Sequence, residues 1–219
     1  MTEIVAVVAA GPGLGLSVAR RFAREGADIA LVARSAERLA PLVGELETLG
    51  VRVHAASADV ADERSLRAGL EDVRRALGDP SVLVYNGSEY VEGKPTTVGY
   101  DEFVHCLLVG VAGALVAVQE VAPSMRAAGR GTVLLTGSEA AIKPSVGAAA
   151  LGVAKAGLRN LAYSTAAELG SDGVHVTTVT IRGMLKRGTA FDPDRIAEHY
   201  WRLHCQGRAE WEPEFVLNR

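Results

Sequence analysis

Cysteine is scarce in this chain of 219 residues, which has only Cys106 and Cys205, far apart and outside any C-x-x-C pair. The sequence therefore predicts neither a disulfide framework nor a cysteine-based zinc motif. The five histidines form no metal-binding pair either. His199 and His204 are five residues apart, about 140° around a helix, so their rings would leave on different faces. We predict no metal site.

An excess of one charge is also lacking, because 23 basic and 26 acidic residues leave a net charge of −3. Such a chain has no basic surface for nucleic acid, and we expect no nucleic-acid partner. The N-terminal Met-Thr-Glu lacks the basic region of a signal peptide, and no apolar run approaches the roughly 20 residues of a membrane span. We therefore expect no membrane partner and a cytoplasmic location.

A strand, a glycine-rich turn and a helix follow one another at the start of the chain. The aliphatic run 4–9 is typical of a buried parallel strand, and apolar residues recur at helical spacing after the turn. Glycines allow a tight turn and let a pyrophosphate approach main-chain N–H groups at a helix N-terminus. The strict spacing G-x-G-x-x-G would need a glycine at Leu16, so the turn fits G-x-x-x-G-x-S from Gly11. A turn without a ligand remains the alternative. The predicted binding residues here are Gly11, Gly13, Gly15 and Leu16.

Strand and helix patterns alternate along the rest of the chain. Strands are predicted at 27–33, 51–56, 81–85, 132–136, 174–181 and 214–217, and helices at 36–49, 62–77, 98–128, 151–169 and around 200–204. This alternation predicts an α/β fold with a doubly wound, mostly parallel, Rossmann-like sheet in three layers, α/β/α. No linker or internal repeat divides the chain, so we expect residues 1–219 to form a single dinucleotide-binding domain. Residues 184–219 would form a short substrate or cap region.

Arg34 and Ser35 follow the second predicted strand, about 20 residues beyond the glycine turn. An acidic residue at this place bonds the adenosine ribose of NAD, whereas an arginine accommodates the 2′-phosphate of NADP. No acidic residue stands at positions 33–35. Arg34 therefore favours NADP(H) over NAD(H), with Ser35 and Arg38 as further donors. The alternative is that Arg34 is a solvated arginine at a strand end.

Polar residues recur after the third, fourth and fifth strands and in the helix that follows. Taken in order, the glycine turn and these residues resemble the classical short-chain dehydrogenase/reductase family over nearly the whole chain. The resemblance implies a nicotinamide cofactor across the strand ends, with Asp59 near the adenine and Asn86 and Gly87 shaping the cofactor wall. Lys155 would bond the hydroxyls of the nicotinamide ribose. The residues that carry the resemblance are Asp59 and Val60, Asn86 and Gly87, Ser138, and Lys155.

The sequence departs from this family at its catalytic centre. The family's general acid/base is a tyrosine four residues before the lysine, and here that position is Leu151. The seven-residue spacing of related enoyl reductases gives Ala148, and the helix asparagine expected in the family corresponds to Gly110. The usual proline-glycine after the sixth strand is replaced by Arg182-Gly183.

Leucine cannot transfer a proton, and losing a positioned acid or base costs roughly 10²–10⁴ in rate. Ser138 and Lys155 remain as catalytic candidates, although a strand-end serine also commonly satisfies local backbone. Tyr163 lies 12 residues beyond Leu151, about 18 Å along the helix, which excludes it as a substitute. Four loop residues could face the pocket instead, and Tyr90 ranks first among them. These four are Tyr90, Glu139, Lys143 and Ser145.

Two functions follow from these observations. The first is an NADP(H)-dependent oxidoreductase that transfers hydride to or from a small carbonyl or alcohol substrate with an altered proton donor. The alternative is a catalytically silent relative that binds NADP(H) or a protein partner without turnover. Small residues at 110–117 and 151–166 suit close helix packing, and the resemblance implies a four-helix dimer contact there. We therefore expect a homodimer or homotetramer.

Overall fold

The structure is a computed structural model that describes residues 2–218, apart from the side chain of Ala36. Its strands are β1 Ile4–Val8, β2 Asp28–Ala33, β3 Val53–Ser57, β4 Val82–Tyr85, β5 Gly131–Ser138, β6 Val174–Ile181 and β7 Glu214–Leu217. Its helices are α1 Leu14–Ala23, α2 Ala36–Glu47, α3 Glu63–Leu77, α4 Tyr100–Leu107, α5 Gly113–Ala128, α6 Ala149–Leu169 and α7 Pro193–His204.

The strands pair in the order β3-β2-β1-β4-β5-β6-β7, and every pair is parallel. The order reverses between β1 and β4, because the chain first builds outward from β1 in one direction and then in the other. Such a reversal leaves a crevice at the carboxyl ends of the two strands, where ligands bind in open α/β sheets. The predicted doubly wound, Rossmann-like fold is confirmed.

Helices cover both faces of the sheet. Within β1, Val5 and Val7 join the apolar cluster that includes residues of α1, α2 and α7, whereas Ala6 and Val8 join the cluster with α3, α5 and α6. Successive side chains of a strand point to opposite faces, so a strand covered on both faces must be apolar throughout. This explains the unbroken aliphatic runs in the sequence and gives three layers.

Local sequence signals place the helix ends. Ser35 caps α2 by accepting a hydrogen bond from the Arg38 N–H at 3.3 Å, and Asp62 caps α3 through the Ser65 N–H at 2.8 Å. At the C-terminal end of α5, Gly129 adopts a φ of +63°, a conformation that costs glycine little. These caps fix where each helix meets the ends of its neighbouring strands.

The long helical region predicted over 98–128 runs from Tyr100 to Ala128, with a π-helical turn, Leu108–Ala112, between α4 and α5. The Tyr85 hydroxyl, reaching from β4, donates a hydrogen bond to the carbonyl oxygen of Val109 in this turn. A Cβ on Gly113 would collide with that hydroxyl. The helix therefore widens into a π-helical turn where a buried tyrosine hydrogen-bonds to one of its carbonyls, a contact between distant residues that helical periodicity does not encode.

The same helical region contradicts the expectation, drawn from the sequence, that no apolar run approaches the length of a membrane span. Tyr100–Ala128 is long and apolar enough by length and composition, with a mean hydropathy of 1.9 in its most apolar window. Half of that window is buried within the protein, and core helices pass the same test. The region therefore gives only weak grounds for a membrane helix.

The C-terminal residues extend the fold. Trp201 of α7 packs edge-on against Phe22 of α1 with ring centroids 5.2 Å apart, and Glu198 pairs with Arg21 at 2.7 Å. β7 adds the last strand beside β6. A role for residues 184–219 as a cap stays a prediction, and the outer ends of the range 1–219 lie outside the described residues.

Candidate cofactor-binding and active site

A cleft of about 450 Å³ opens at the carboxyl ends of β1, β2 and β4, on the crevice that the strand order creates. Seven of the residues predicted from the sequence line it, although they lie far apart in the chain. They are Gly11, Arg34, Ser35, Arg38, Asp59, Val60 and Asn86. The sheet topology brings them together, because parallel strands end on the same edge.

The glycine turn joins β1 to α1 at one end of this cleft. The positions where a Cβ would stand on Gly11 and Gly13 have no atom within 4 Å, so both glycines border open space. A Cβ on Gly15 would lie 3.2 Å from the Cα of Ala10, which is tight. Gly15 therefore serves the close packing of helix on strand. Gly13, Gly15 and Leu16 lie at the start of α1 and do not line the cleft.

Ala9, the residue directly after β1, has a φ of +57° and is the one non-glycine residue with positive φ in the part of the chain described. This left-handed conformation costs an L-residue roughly 1–2 kcal/mol. The strain lies at the wall of the cleft, which Ala9 lines. The sequence reasoning missed it, since alanine gives no signal for such a turn.

The end of β2 presents positive charge to the cleft. Arg34 is exposed, and Arg38 lies one turn into α2, so both side chains lie on the same wall. Ser57 holds the main chain here by donating its hydroxyl proton to the carbonyl oxygen of Arg34 at 3.0 Å. Positions 33–35 bring no carboxylate to this wall.

Asp59 and Val60 line the cleft after β3. The Asp59 carboxylate accepts a hydrogen bond from the Ala61 N–H at 2.9 Å, and its own N–H donates to Ser65 at 3.0 Å. The carboxylate is thus oriented by the turn that leads into α3. Asn86 continues the wall after β4, with its N–H donating to the carbonyl oxygen of Val8 at 2.9 Å.

Sequence reasoning missed two residues of this wall. Ser88 and Glu89 follow Asn86-Gly87 directly and line the cleft. Their position immediately after a strand-end motif was the available signal. Glu89 adds a carboxylate to a cleft whose other acidic residue is Asp59.

Lys155, on α6, is buried at the carboxyl end of β4 and β5, with 3% of its surface exposed. Its ammonium donates to the carbonyl oxygen of Thr136 at 2.8 Å and to that of Gly87 at 3.2 Å. Burial disfavours the charged form and lowers the pKa of Lys155 to about 8. The lysine thereby links the end of β5 to the loop after β4. A Cβ on Gly87 would meet the Tyr85 ring at 2.6 Å, so glycine allows that loop to pass.

Ser138 is the last residue of β5, and its hydroxyl oxygen accepts a hydrogen bond from the Ala140 N–H at 3.2 Å. This is the local role that the sequence left open beside a catalytic one. Leu151 lies half-buried in the first turn of α6, one turn before Lys155. Tyr90 is 63% exposed and does not line the cleft.

An ion pair lies beside Ser138 across the strand ends. The register opposes Ser138 to Ile181, and in the next positions Glu139 and Arg182 pair at 3.2 Å. Arg182 also donates to the side chain of Asn218 at 3.1 Å. Sequence reasoning named both residues separately but missed their pairing, which depends on strand register. Gly183 follows, and a Cβ at this position would collide with the ring of Phe191.

Within residues 2–218, no three His, Cys, Asp or Glu side chains are grouped so that they could hold a metal ion.

Comparison with known proteins gives the family. The sequence pattern that describes short chain dehydrogenases matches residues 3–191. The chain belongs to this family. Sulfoacetaldehyde reductase 2 of Chromohalobacter salexigens is 30% identical over 181 residues, which are 82% of this chain and 71% of that protein.

Solved structures of short-chain dehydrogenases have the same fold. One from Rhodopseudomonas palustris superimposes with a TM-score of 0.90 at 31% identity and covers 99% of this chain and 98% of its own. A metagenomic short-chain oxidoreductase in complex with NADP has a TM-score of 0.90 at 27% identity, covering 98% and 96%. This short-chain dehydrogenase is therefore an oxidoreductase by family, with a Rossmann-like NAD(P)-binding fold.

Proposed function

We propose that the cleft binds NADP(H) in preference to NAD(H), and that the protein transfers hydride between this cofactor and a small carbonyl or alcohol substrate. The observation that carries the proposal is the basic wall at the end of β2. Arg34 and Arg38 line the cleft together with Ser35, at the place where a dinucleotide fold meets the adenosine ribose. A 2′-phosphate there would meet two guanidinium groups.

The other residues of the cleft fit a dinucleotide. Gly11 and Gly13 border open space at the N-terminus of α1, where main-chain N–H groups and the helix dipole favour a pyrophosphate. Asp59 and Asn86 would line the adenine and ribose side. Lys155 and Gly87 would lie at the nicotinamide end, and Gly183 would close it after β6. Bound NADPH supplies the hydride, and the chain holds and orients it.

Two relatives support the class of reaction. A metagenomic relative is described in complex with NADP, and the Chromohalobacter relative is named as a reductase of sulfoacetaldehyde. The first supports NADP(H) as the cofactor and the second supports a small carbonyl compound as the partner of the hydride, and neither names the substrate of this chain.

The proton must come from a group other than the residue at position 151, because that residue is leucine. Ser138 would orient the substrate oxygen once its hydroxyl turns from the Ala140 N–H. The ammonium of Lys155 and the phenol of Tyr90 are two candidate donors, beside the loop residues Glu139, Lys143 and Ser145. Tyr90 is exposed and would need its loop to fold over the site, so Lys155 is the nearer acid.

A silent binding protein is the second candidate, and the contacts of Ser138 and Lys155 favour it. Both side chains hydrogen-bond to main-chain groups, and position 151 holds a leucine in place of the tyrosine with which they would act. The protein would then hold NADP(H), or a partner, without turnover.

Turnover separates the two candidates. NADPH oxidation is measured with a panel of small aldehydes and ketones for the wild type, Ser138→Ala and Tyr90→Phe. An oxidoreductase shows turnover that falls in Ser138→Ala, and a fall in Tyr90→Phe would move the acid role to Tyr90. No turnover with any carbonyl, while NADPH binds, supports the silent protein.

A homodimer or homotetramer stays a prediction. One argument for this assembly, the small residues around 110–117, is weakened. Gly110 packs so closely on α6 that a Cβ would lie 2.8 Å from that of Ala154. The small residues therefore serve packing inside the chain. Leu115 and Val153 leave apolar surface, 43% and 49% exposed, on the outer sides of α5 and α6. Light scattering tests the assembly, and the cytoplasmic location also stays a prediction.

A further inference from the structure

β7 covers only part of the outer edge of β6. The strand β6 begins at Val174, whereas its pairing with β7 begins at Thr178. The Thr178 N–H donates to the carbonyl oxygen of Pro213 at 3.0 Å, and this is the first bond of the ladder. Within the sheet that the structure describes, residues 174–177 have no strand on this side. The amino-terminal half of β6 therefore has an open edge, of the kind that can pair with another chain.

Pro213 stops the ladder from extending further. The next bond would need an N–H at position 213 that donates to the carbonyl oxygen of Val176, and proline has no N–H. The main-chain groups of Val176 point to the same side as those of Thr178, since alternate residues of a parallel strand bond to the same neighbour. Among residues 2–218, neither group of Val176 has a hydrogen-bond partner outside the strand ladders. Val176 thus presents one donor and one acceptor at the open edge.

A cavity of about 490 Å³, which we name the edge slot, lies along residues 174–176. It provides space where β7 would lie if that strand were longer. One wall is the last part of α6, where Ala166 and Ala167 carry small side chains. Ala167 is exposed, so the slot opens to solvent beside this residue.

Trp211 forms the opposite wall of the edge slot. Val174 and Val176 face the cluster that includes α6, so His175 between them faces the other side of the sheet. The Trp211 ring stacks on the His175 ring, with centroids 4.9 Å apart and an interplanar angle of 3°. Its indole N–H also donates to the carbonyl oxygen of Gln206 at 3.1 Å. These contacts hold the indole to one side of the sheet edge.

The charges at the edge slot indicate what chemistry it can take. Arg208 and Glu212 both line it and are exposed, and their opposite charges cancel. Such a slot does not select a strongly acidic or strongly basic partner. An uncharged peptide main chain matches the donor and the acceptor of Val176. Alternate side chains of an extended peptide would face α6 and Trp211.

We propose that the edge slot binds an extended peptide segment of a partner protein, which adds to β6 as a short strand. A peptide carbonyl oxygen accepts the Val176 N–H, and a peptide N–H donates to the Val176 carbonyl oxygen. The site is separate from the cofactor cleft, which lies at the carboxyl ends of the strands. Val176 is five residues from Ile181, the last residue of β6, roughly 16 Å along the strand. The inference therefore does not depend on cofactor binding.

A blocked peptide tests the main-chain recognition directly. The probe is acetyl-Val-Thr-Val-Thr-Val-amide, which is uncharged and rich in strand-forming residues. Its control is the same peptide with every residue N-methylated, which removes the main-chain donors. Two-dimensional NMR of the ¹⁵N-labelled protein follows the amide resonance of Val176 during titration, with Val82 of the central strand β4 as the internal reference.

Two variants of α6 locate the binding. Ala167→Phe places a large ring at the exposed rim of the edge slot, and Asn160→Phe places the same ring at an exposed position outside it. We expect the Val176 resonance to shift saturably with the peptide and the Val82 resonance to stay unchanged. Ala167→Phe and N-methylation should each weaken binding by about tenfold or more, and Asn160→Phe should bind like the wild type.

Three results would overturn the proposal. One is an unchanged Val176 resonance at about 1 mM peptide, because the slot is proposed to recognise the main chain of any uncharged strand. Another is equal binding of the N-methylated peptide or of Ala167→Phe. The third is a Val176 shift that grows with protein concentration in the absence of peptide, which would assign the slot to a second copy of this chain.

Discussion

Ala9 offers a direct test of the turn that forms the cleft. Ala9 has a φ of +57°, and replacing it with glycine should relieve the backbone strain, because glycine adopts this region about as readily as the right-handed one. The left-handed conformation costs alanine about 1–2 kcal/mol, and glycine loses about 0.5–1 kcal/mol of conformational entropy on folding. Ala9→Gly should therefore stabilise the protein by about 0.5–1 kcal/mol.

The neighbouring residue gives a matched control. Ala10 lines the same cleft and is not among the residues of positive φ. Ala10→Gly should therefore show only the entropy cost and destabilise by about 0.5–1 kcal/mol. Urea unfolding at neutral pH measures both variants against the wild type. If Ala9→Gly lost as much stability as Ala10→Gly, the left-handed turn and the account of the cleft wall would be refuted.

Two further predictions concern His175 and Leu151. His175 is buried and stacked on Trp211, and burial lowers its pKa to about 4. In the unfolded chain the pKa of this histidine is 6.5, so on acidification the unfolded chain is protonated before the folded protein. Stability should be full above about pH 6.5 and fall by up to about 3 kcal/mol towards pH 4, and a loss as steep in His175→Phe as in the wild type would contradict this origin. Leu151→Tyr should return a proton donor to α6 and raise NADPH-dependent aldehyde reduction by about 10²-fold or more. If Leu151→Tyr folds and binds NADPH but reduces aldehydes no faster than the wild type, proton transfer is not what limits turnover.

The sequence was a good guide to elements whose signals are local. The aliphatic run of β1, the serine that caps α2 and the glycine that ends α5 each act within a few residues, so periodicity and capping rules identify them. The doubly wound, parallel sheet followed from the alternation of strands and helices. It brought Arg34, Asp59 and Asn86 to one cleft, because their strands are parallel and end on one edge.

Features that depend on distant contacts escaped the sequence. The π-helical turn arises where the Tyr85 hydroxyl takes a carbonyl of the helix, 24 residues away. The Glu139–Arg182 pair depends on the register of β5 against β6. The hydrogen-bond partners of Lys155 are main-chain oxygens, which cannot be predicted from residue types in the sequence. Each belongs to tertiary packing rather than to a pattern along the chain.

The central claim, a cleft that selects NADP(H), is tested most directly by calorimetric titration with NADPH and NADH. Arg34→Gln is compared with Arg64→Gln, which removes an exposed arginine from α3, outside the residues that line the cleft. Hydrogen bonds to a charged group are worth about 1.5–3 kcal/mol, so Arg34→Gln should weaken NADPH binding by about 10- to 100-fold and leave NADH binding nearly unchanged. Arg64→Gln should change neither. Equal affinity for the two cofactors, or equal loss for both in Arg34→Gln, would contradict the account.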